Sequence, residues 1–118
     1  MADSSGSLDV LQSLMQVIED RRDHPPEKSY TTKLFSGGVP AIAAKITEEA
    51  EEVNEAALEE GDEGRSHLIY EAADLTYHLM VMLGHKRIHW SEVETELARR
   101  FGISGIDEKA SRGSGKNQ

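Results

Sequence analysis

Residues 40–83 read PAIAAKITEEAEEVNEAALEEGDEGRSHLIYEAADLTYHLMVML, and the spacing within them decides the fold. In the first half Ile42, Ile46, Glu49, Val53 and Ala56 recur at alternating steps of four and three, which is one face of an α-helix. Pro40 suits the first position of that helix, where its missing N–H donor is not needed. The helix is expected from about Pro40 to Glu60, closed by Gly61 to Gly64. A second is expected from about Arg65 to Lys86. Its apolar seam is Leu68, Ala72, Leu75, Leu79 and Met82, widened by Ile69, Met80 and Leu83. No Lys or Arg occurs between Ser66 and Gly84, so this helix should be largely buried. The short glycine turn makes the two helices antiparallel neighbours.

Working outward, Leu8, Leu11, Leu14 or Met15, and Ile18 form another helix face, with Ser7 as N-cap. It should end before His24-Pro25-Pro26, because prolines cannot continue the ladder and restrict the residue before them. Ser29 can cap a short turn through Leu34 and Phe35, stopped by Gly37-Gly38. Trp90 and Ser91 open a last helix, with Ser91 and Glu94 as a capping box and Val93, Leu97 and Phe101 as its face. Gly102 ends it. No segment alternates with period two. The expected fold is all-α: a helical bundle of four main helices with a short extra turn. It forms one domain over residues 1–118, with an ordered core of 7–112 and a disordered tail of 113–118.

The composition narrows the function classes. Among 118 residues, 22 acids outweigh 13 bases, for a net charge of −9. Such a chain repels nucleic-acid backbones and anionic membranes, so neither is an expected partner. A small phosphorylated substrate remains compatible if cations neutralise both sides. The absence of cysteine excludes disulfides, thiolate metal sites and thiol nucleophiles. No secretion signal is apparent, and the most apolar stretch, His67 to Leu83, carries Glu71, Asp74 and two histidines. A soluble, cytoplasmic domain is expected.

The informative feature is acid where apolar residues belong. Glu49 falls in the middle of the inward seam of its helix, flanked by Glu48 and Glu52, which stack four residues apart. On the next helix Glu71, Asp74 and His78 form a narrow polar stripe beside the seam. Burying an ionised carboxylate without a partner costs several kcal/mol, so a positive group is required where these stripes face each other. Lys45 is the only Lys or Arg on them. A hard divalent cation resolves the conflict, and oxygen-only ligands suit Mg2+ or Mn2+, with water and substrate phosphates completing the shell. Glu51, Glu55, Glu59 and Glu60 read instead as a solvated face.

Other chemistries lack their residues. No Glu-x-x-His pair supports a di-iron bundle. There is no calcium-binding loop, Gly-rich phosphate loop or nucleophile elbow. His78 is either a ligand or proton carrier, or a hydrogen-bond partner of Asp74 four residues earlier. His67, His85 and His89 read as incidental, and Tyr70, Tyr77 and Trp90 as packing residues.

Glu48-Glu49-x-x-Glu52 followed by Glu71-x-x-Asp74 resembles the E-E-x-x-E…E-x-x-D signature of the all-α NTP pyrophosphatase (MazG-like) superfamily. Ser29-Tyr30-Thr31 with Lys33-Leu34, YEAADLTYHLMVML from Tyr70, and GISGIDEKASR from Gly102 are similar to the phosphoribosyl-ATP pyrophosphohydrolase family of histidine biosynthesis. The resemblance spans about Leu8 to Arg112. Thr47 departs from it, standing where glycine is often found before the paired glutamates; the effect should fall on packing more than on ligation.

The resemblance implies magnesium-activated attack of water on the triphosphate of phosphoribosyl-ATP, giving phosphoribosyl-AMP and pyrophosphate. It implies Glu49, Glu52, Glu71 and Asp74 as metal ligands. Glu48 and Glu49 are the candidate catalytic pair, Glu48 being a further ligand or the group that orients water. Lys33, Lys45, Lys109 and Arg112, bases within or beside the matched motifs, are candidate substrate contacts together with His78. Arg112 could reach its own site or a neighbour's. A homodimer is also implied. Two rival readings are a house-cleaning nucleoside triphosphate pyrophosphatase with the same acidic core, and a non-catalytic acidic module that binds a protein.

Overall fold

A computed structural model describes residues 10–103. Four helices and no strand occur among them: α1 (Val10–Asp23), α2 (Tyr30–Ala57), α3 (Gly61–His85) and α4 (Trp90–Phe101). This is the expected all-α bundle. The expected N-cap Ser7, the helix start at Leu8, and Lys109, Arg112 and the tail lie outside the described residues.

Helix α1 buries Met15 and Ile18 and stops at Asp23, before the proline pair. Arg21 and Arg22 in its last turn complement the helix dipole. Arg22 Nη1 also donates to the Gly84 carbonyl at 2.8 Å, tying the end of α1 to the end of α3.

Helix α2 begins where expected, with the Ser29 hydroxyl accepting the Thr32 N–H at 3.3 Å. The anticipated short turn and long helix are joined in one element that breaks at Gly38. There φ is 70° and ψ −164°, a conformation essentially confined to glycine. Pro40 then starts the second segment. The break has a structural purpose. At 1.5 Å per residue a straight helix would hold Tyr30 about 28 Å from Glu49. Instead the first segment folds back, and the Tyr30 hydroxyl lies 2.8 Å from His78, one turn beyond Asp74.

Helix α3 starts at Gly61, inside the glycine run expected to form the turn, so the linker shrinks to Leu58–Glu60. Asp62 and Glu63 in its first turn favour the positive end of the dipole. Helix α4 starts earlier than the Ser91 capping box requires. His89 is the N-cap: its Nδ1 accepts the Ser91 N–H at 3.0 Å, while its own N–H donates to Glu92 Oε2 at 3.1 Å. A neutral imidazole acceptor replaces the expected hydroxyl. Gly102, left-handed at φ 64°, ends the helix as expected.

Helices α2 and α3 share the most extensive contact, α1 packs across both, and α4 rests mainly on α1. The core joins Met15 and Ile18 of α1, Leu34 and Ile42 of α2, and Met80 and Val81 of α3. Gly84 permits the close approach of α1 and α3, since a Cβ there would lie 3.1 Å from Ile18 Cγ2.

The seam assigned to α2 is the inward face, with Ile42, Glu49 and Ala56 all buried. The seam assigned to α3 requires correction. Leu79 is 40% exposed, Ile69 59% and Tyr70 67%, whereas Glu71 and His78 are buried. The polar stripe is what α3 turns toward α2. Of its apolar residues Met80 is buried and Leu68, Leu75, Met82 and Leu83 are half-buried. The side carrying Ile69, Tyr70 and Leu79 is open, so Tyr70 does not pack within the bundle.

Candidate metal and catalytic site

The stripes of α2 and α3 meet as the spacing requires. Glu49 is 3% exposed and Glu71 6%, and each has one carboxylate oxygen, Oε1, buried without a hydrogen-bond partner. Glu49, Glu52 and Glu71 each offer a ligand atom, mutually within 4.8 Å. Glu49, Asp74 and His78 form a second such group, so Glu49 is common to both. Burial, then the adjacent Asp74 carboxylate and hydrogen bonds to Asp74 and Glu71, push the Glu49 carboxyl up to about 7. A hydrogen bond to Glu71, with burial and the Glu71 charge, also raises Glu52. Carboxyl groups this close share protons unless a cation takes their place.

This donor set fits a hard divalent cation. Its four carboxylates, Glu49, Glu52, Glu71 and Asp74, supply oxygen donors and negative charge, and two of the buried oxygens lack a hydrogen-bond partner. Among the described residues one lysine approaches it: Lys45 Nζ is 3.3 Å from Glu48 Oε1 and 3.6 Å from Glu49 Oε2. Glu48, with its side chain 54% exposed, is a rim residue, while Glu52 is half-buried. Thr47, the position expected to affect packing, is exposed.

The remaining candidates separate. Lys33 is exposed on the first segment of α2, with no ion pair among the described residues. His78 is 2% exposed, and both ring nitrogens are engaged, Nδ1 by the Asp74 carbonyl at 2.8 Å and Nε2 by Tyr30. Of the roles open to it from the sequence, the hydrogen bond to Asp74 is made, to the main-chain carbonyl, and in this arrangement the buried ring has both nitrogens occupied. Lys109 and Arg112 fall beyond the described residues.

One residue read as incidental belongs to the site. His67 Nε2 lies 3.1 Å from Glu71 Oε2, and its Nδ1 2.9 Å from Glu59 Oε2. Hydrogen bonding to Glu59, then the charges of Glu59 and Glu71, raises its pKa despite partial desolvation. The signal was present, since His67 precedes Glu71 by the same four residues that separate Asp74 from His78. Beside Asp74 a surface depression of about 210 Å³ opens between Tyr70, Ala73 and Tyr77.

Fold and site define an all-α class of protein in which carboxylates on two antiparallel helices form a buried, cation-accepting cleft. The family model described as Phosphoribosyl-ATP pyrophosphohydrolase matches residues 11–101. A Phosphoribosyl-ATP pyrophosphatase from Rhodopirellula baltica is 53% identical over 94% of this chain and 92% of its own. Proteins of the same name from Geobacter sulfurreducens and Dechloromonas aromatica are 48% and 45% identical, covering 88% and 90% of this chain and 94% and 95% of theirs. The chain belongs to the phosphoribosyl-ATP pyrophosphohydrolase family. Among the described residues no helix is long and apolar enough to cross a membrane.

Proposed function

We propose that this chain hydrolyses phosphoribosyl-ATP to phosphoribosyl-AMP and pyrophosphate, a step of histidine biosynthesis, with Mg2+ as its cofactor and Mn2+ as a substitute. The substrate follows from family membership across nearly the whole chain. The chemistry rests on one observation, the partnerless buried oxygens of Glu49 and Glu71 in a cluster of acids. Glu49, Glu52, Glu71 and Asp74 would hold the cation. When bound, it would neutralise phosphate charge and polarise the phosphorus under attack.

The chain's own residues divide the remaining work. Glu49, the most deeply placed acid, anchors both ligand groups. Glu48, on the rim, would orient the attacking water. Lys45 would take up charge on the phosphates, exchanging its contacts with Glu48 and Glu49 for phosphate oxygens. Water adds at the α–β phosphoanhydride, the bridging P–O bond breaks, and pyrophosphate leaves. Lys33, Lys109 and Arg112 remain candidate phosphate contacts on grounds of sequence.

The open apolar face of α3, with Ile69, Tyr70 and Leu79, favours a homodimer. So do Leu97 and Phe101 of α4, which are 41% and 66% exposed.

The functional test is release of pyrophosphate from phosphoribosyl-ATP against a panel of free nucleoside triphosphates, in Mg2+ and in chelator. Preferred, metal-dependent release from phosphoribosyl-ATP is expected. Equal release from the free triphosphates would favour the house-cleaning reading. No release from any substrate by a folded chain would favour the non-catalytic module.

A further inference from the structure

His78 lies where the first turn of α2, folded back by the break at Gly38, meets the middle of α3. Its Nδ1 is 2.8 Å from the Asp74 carbonyl oxygen and 3.5 Å from Asp74 Oδ1. A carbonyl oxygen only accepts, so Nδ1 carries a proton. In the neutral ring Nε2 is then an acceptor, and the Tyr30 hydroxyl, 2.8 Å away, donates to it. Two aromatic neighbours meet the ring edge-on, Tyr30 at 5.8 Å and Tyr77 at 5.0 Å between centroids. The Tyr77 hydroxyl is itself hydrogen-bonded to Thr31.

We propose that His78 is a positioning residue for Asp74, and that Tyr30 fixes the tautomer through which it acts. This deepens the reading of Asp74 as a cation ligand and rests on it. The Asp74 side chain is 31% exposed, so without a restraint it could swing to solvent. The ring, held by its bond to the Asp74 main-chain carbonyl, keeps Nδ1 3.5 Å from Oδ1 and so bounds one side of the carboxylate. A ligand atom of that carboxylate lies within 4.8 Å of one from Glu49. A lysine or arginine there would compete with the bound cation for Asp74. A neutral ring anchored to the Asp74 carbonyl limits where the carboxylate can turn without neutralising it, the part that outer partners play for metal-binding groups. Flipping the ring would set a C–H against the Asp74 carbonyl, and the Tyr30 hydroxyl opposes the flip by requiring an acceptor at Nε2. The break at Gly38 thus serves the site, because it delivers Tyr30.

The test uses the full chain, with Mn2+ as probe, free Mn2+ measured by electron paramagnetic resonance and turnover followed as Mn2+ is raised. His78→Leu removes the donor, His78→Asn keeps an N–H close to the Nδ1 position, and Tyr30→Phe removes the lock. His78→Leu should weaken Mn2+ binding about 10–100-fold, the range for loss of such an outer partner. Its turnover should recover substantially at saturating Mn2+. His78→Asn should restore most of the affinity, and Tyr30→Phe should fall between Leu and parent. Parental Mn2+ affinity in His78→Leu overturns the proposal, as does an Asn variant no better than Leu. If the Leu variant does not fold, a parental Mn2+ affinity in Tyr30→Phe overturns the role of the lock. Asp74→Asn checks the underlying reading separately: unchanged Mn2+ binding there removes Asp74 as a ligand, and the positioning role with it.

Discussion

At the scale of single residues, Glu49 concentrates the electrostatic cost of the site. Its carboxyl, ordinarily near 4.5, is pushed up to about 7 by burial and the acids around it. The folded state therefore holds a proton that the unfolded state has released between those values. Stability of the metal-free protein should fall as pH rises from about 4.5 to about 7. Glu49→Gln should flatten that fall and melt higher than the parent at pH 8 without metal, by roughly 4–8 °C for each kcal/mol of relieved repulsion. Melting curves across pH check this, and a parent more stable at pH 8 than at pH 5 would contradict it. In turnover the same variant should lose more than about 100-fold, exceeding the loss of an outer-shell partner. The acids were legible in the sequence because carboxylates at seam positions have few physical explanations. His67 was legible only through its spacing from Glu71, because its second contact, Glu59, is reached only across the turn between α2 and α3.

At the scale of elements, the break in α2 decides whether the first segment reaches the site. Gly38 occupies a backbone region nearly closed to other residues, so Gly38→Ala should cost on the order of 1–3 kcal/mol. Urea denaturation would measure that loss, and weaker Mn2+ binding should accompany it if Tyr30 is displaced. An Ala variant of parental stability would show that the break is not needed. The sequence announced a stop at Gly37-Gly38 and a start at Pro40, and both occur. It could not show that the halves stay joined, since that depends on where the chain folds after the break. The α4 start was displaced because histidine is an uncommon cap and its Nδ1 acceptor depends on the tautomer.

At the scale of the whole molecule, the apolar faces of α3 and α4 are the unfinished part of the structure. On the proposed homodimer a second copy would bury these patches by symmetry. Sedimentation should give a dimer at micromolar concentration, and Leu79→Glu combined with Phe101→Glu should shift it toward monomer. A parent that sediments as a monomer would contradict the homodimer. Here the sequence misled for a definable reason. Periodicity finds the apolar side of α3, but it cannot tell a face that packs within the chain from one that awaits another. The polar stripe, beside that face, was the side committed to α2.

The most direct measurement of the central claim is the rise in melting temperature on adding Mg2+, compared between the parent and Glu49→Ala. Binding only to the folded state stabilises by about 2.7 kcal/mol at a hundred times the dissociation constant. The expected result is a clear Mg2+-dependent rise in the parent that is absent in the variant. No rise in the parent, or an equal rise in both, would contradict a cation held by the acids of α2 and α3.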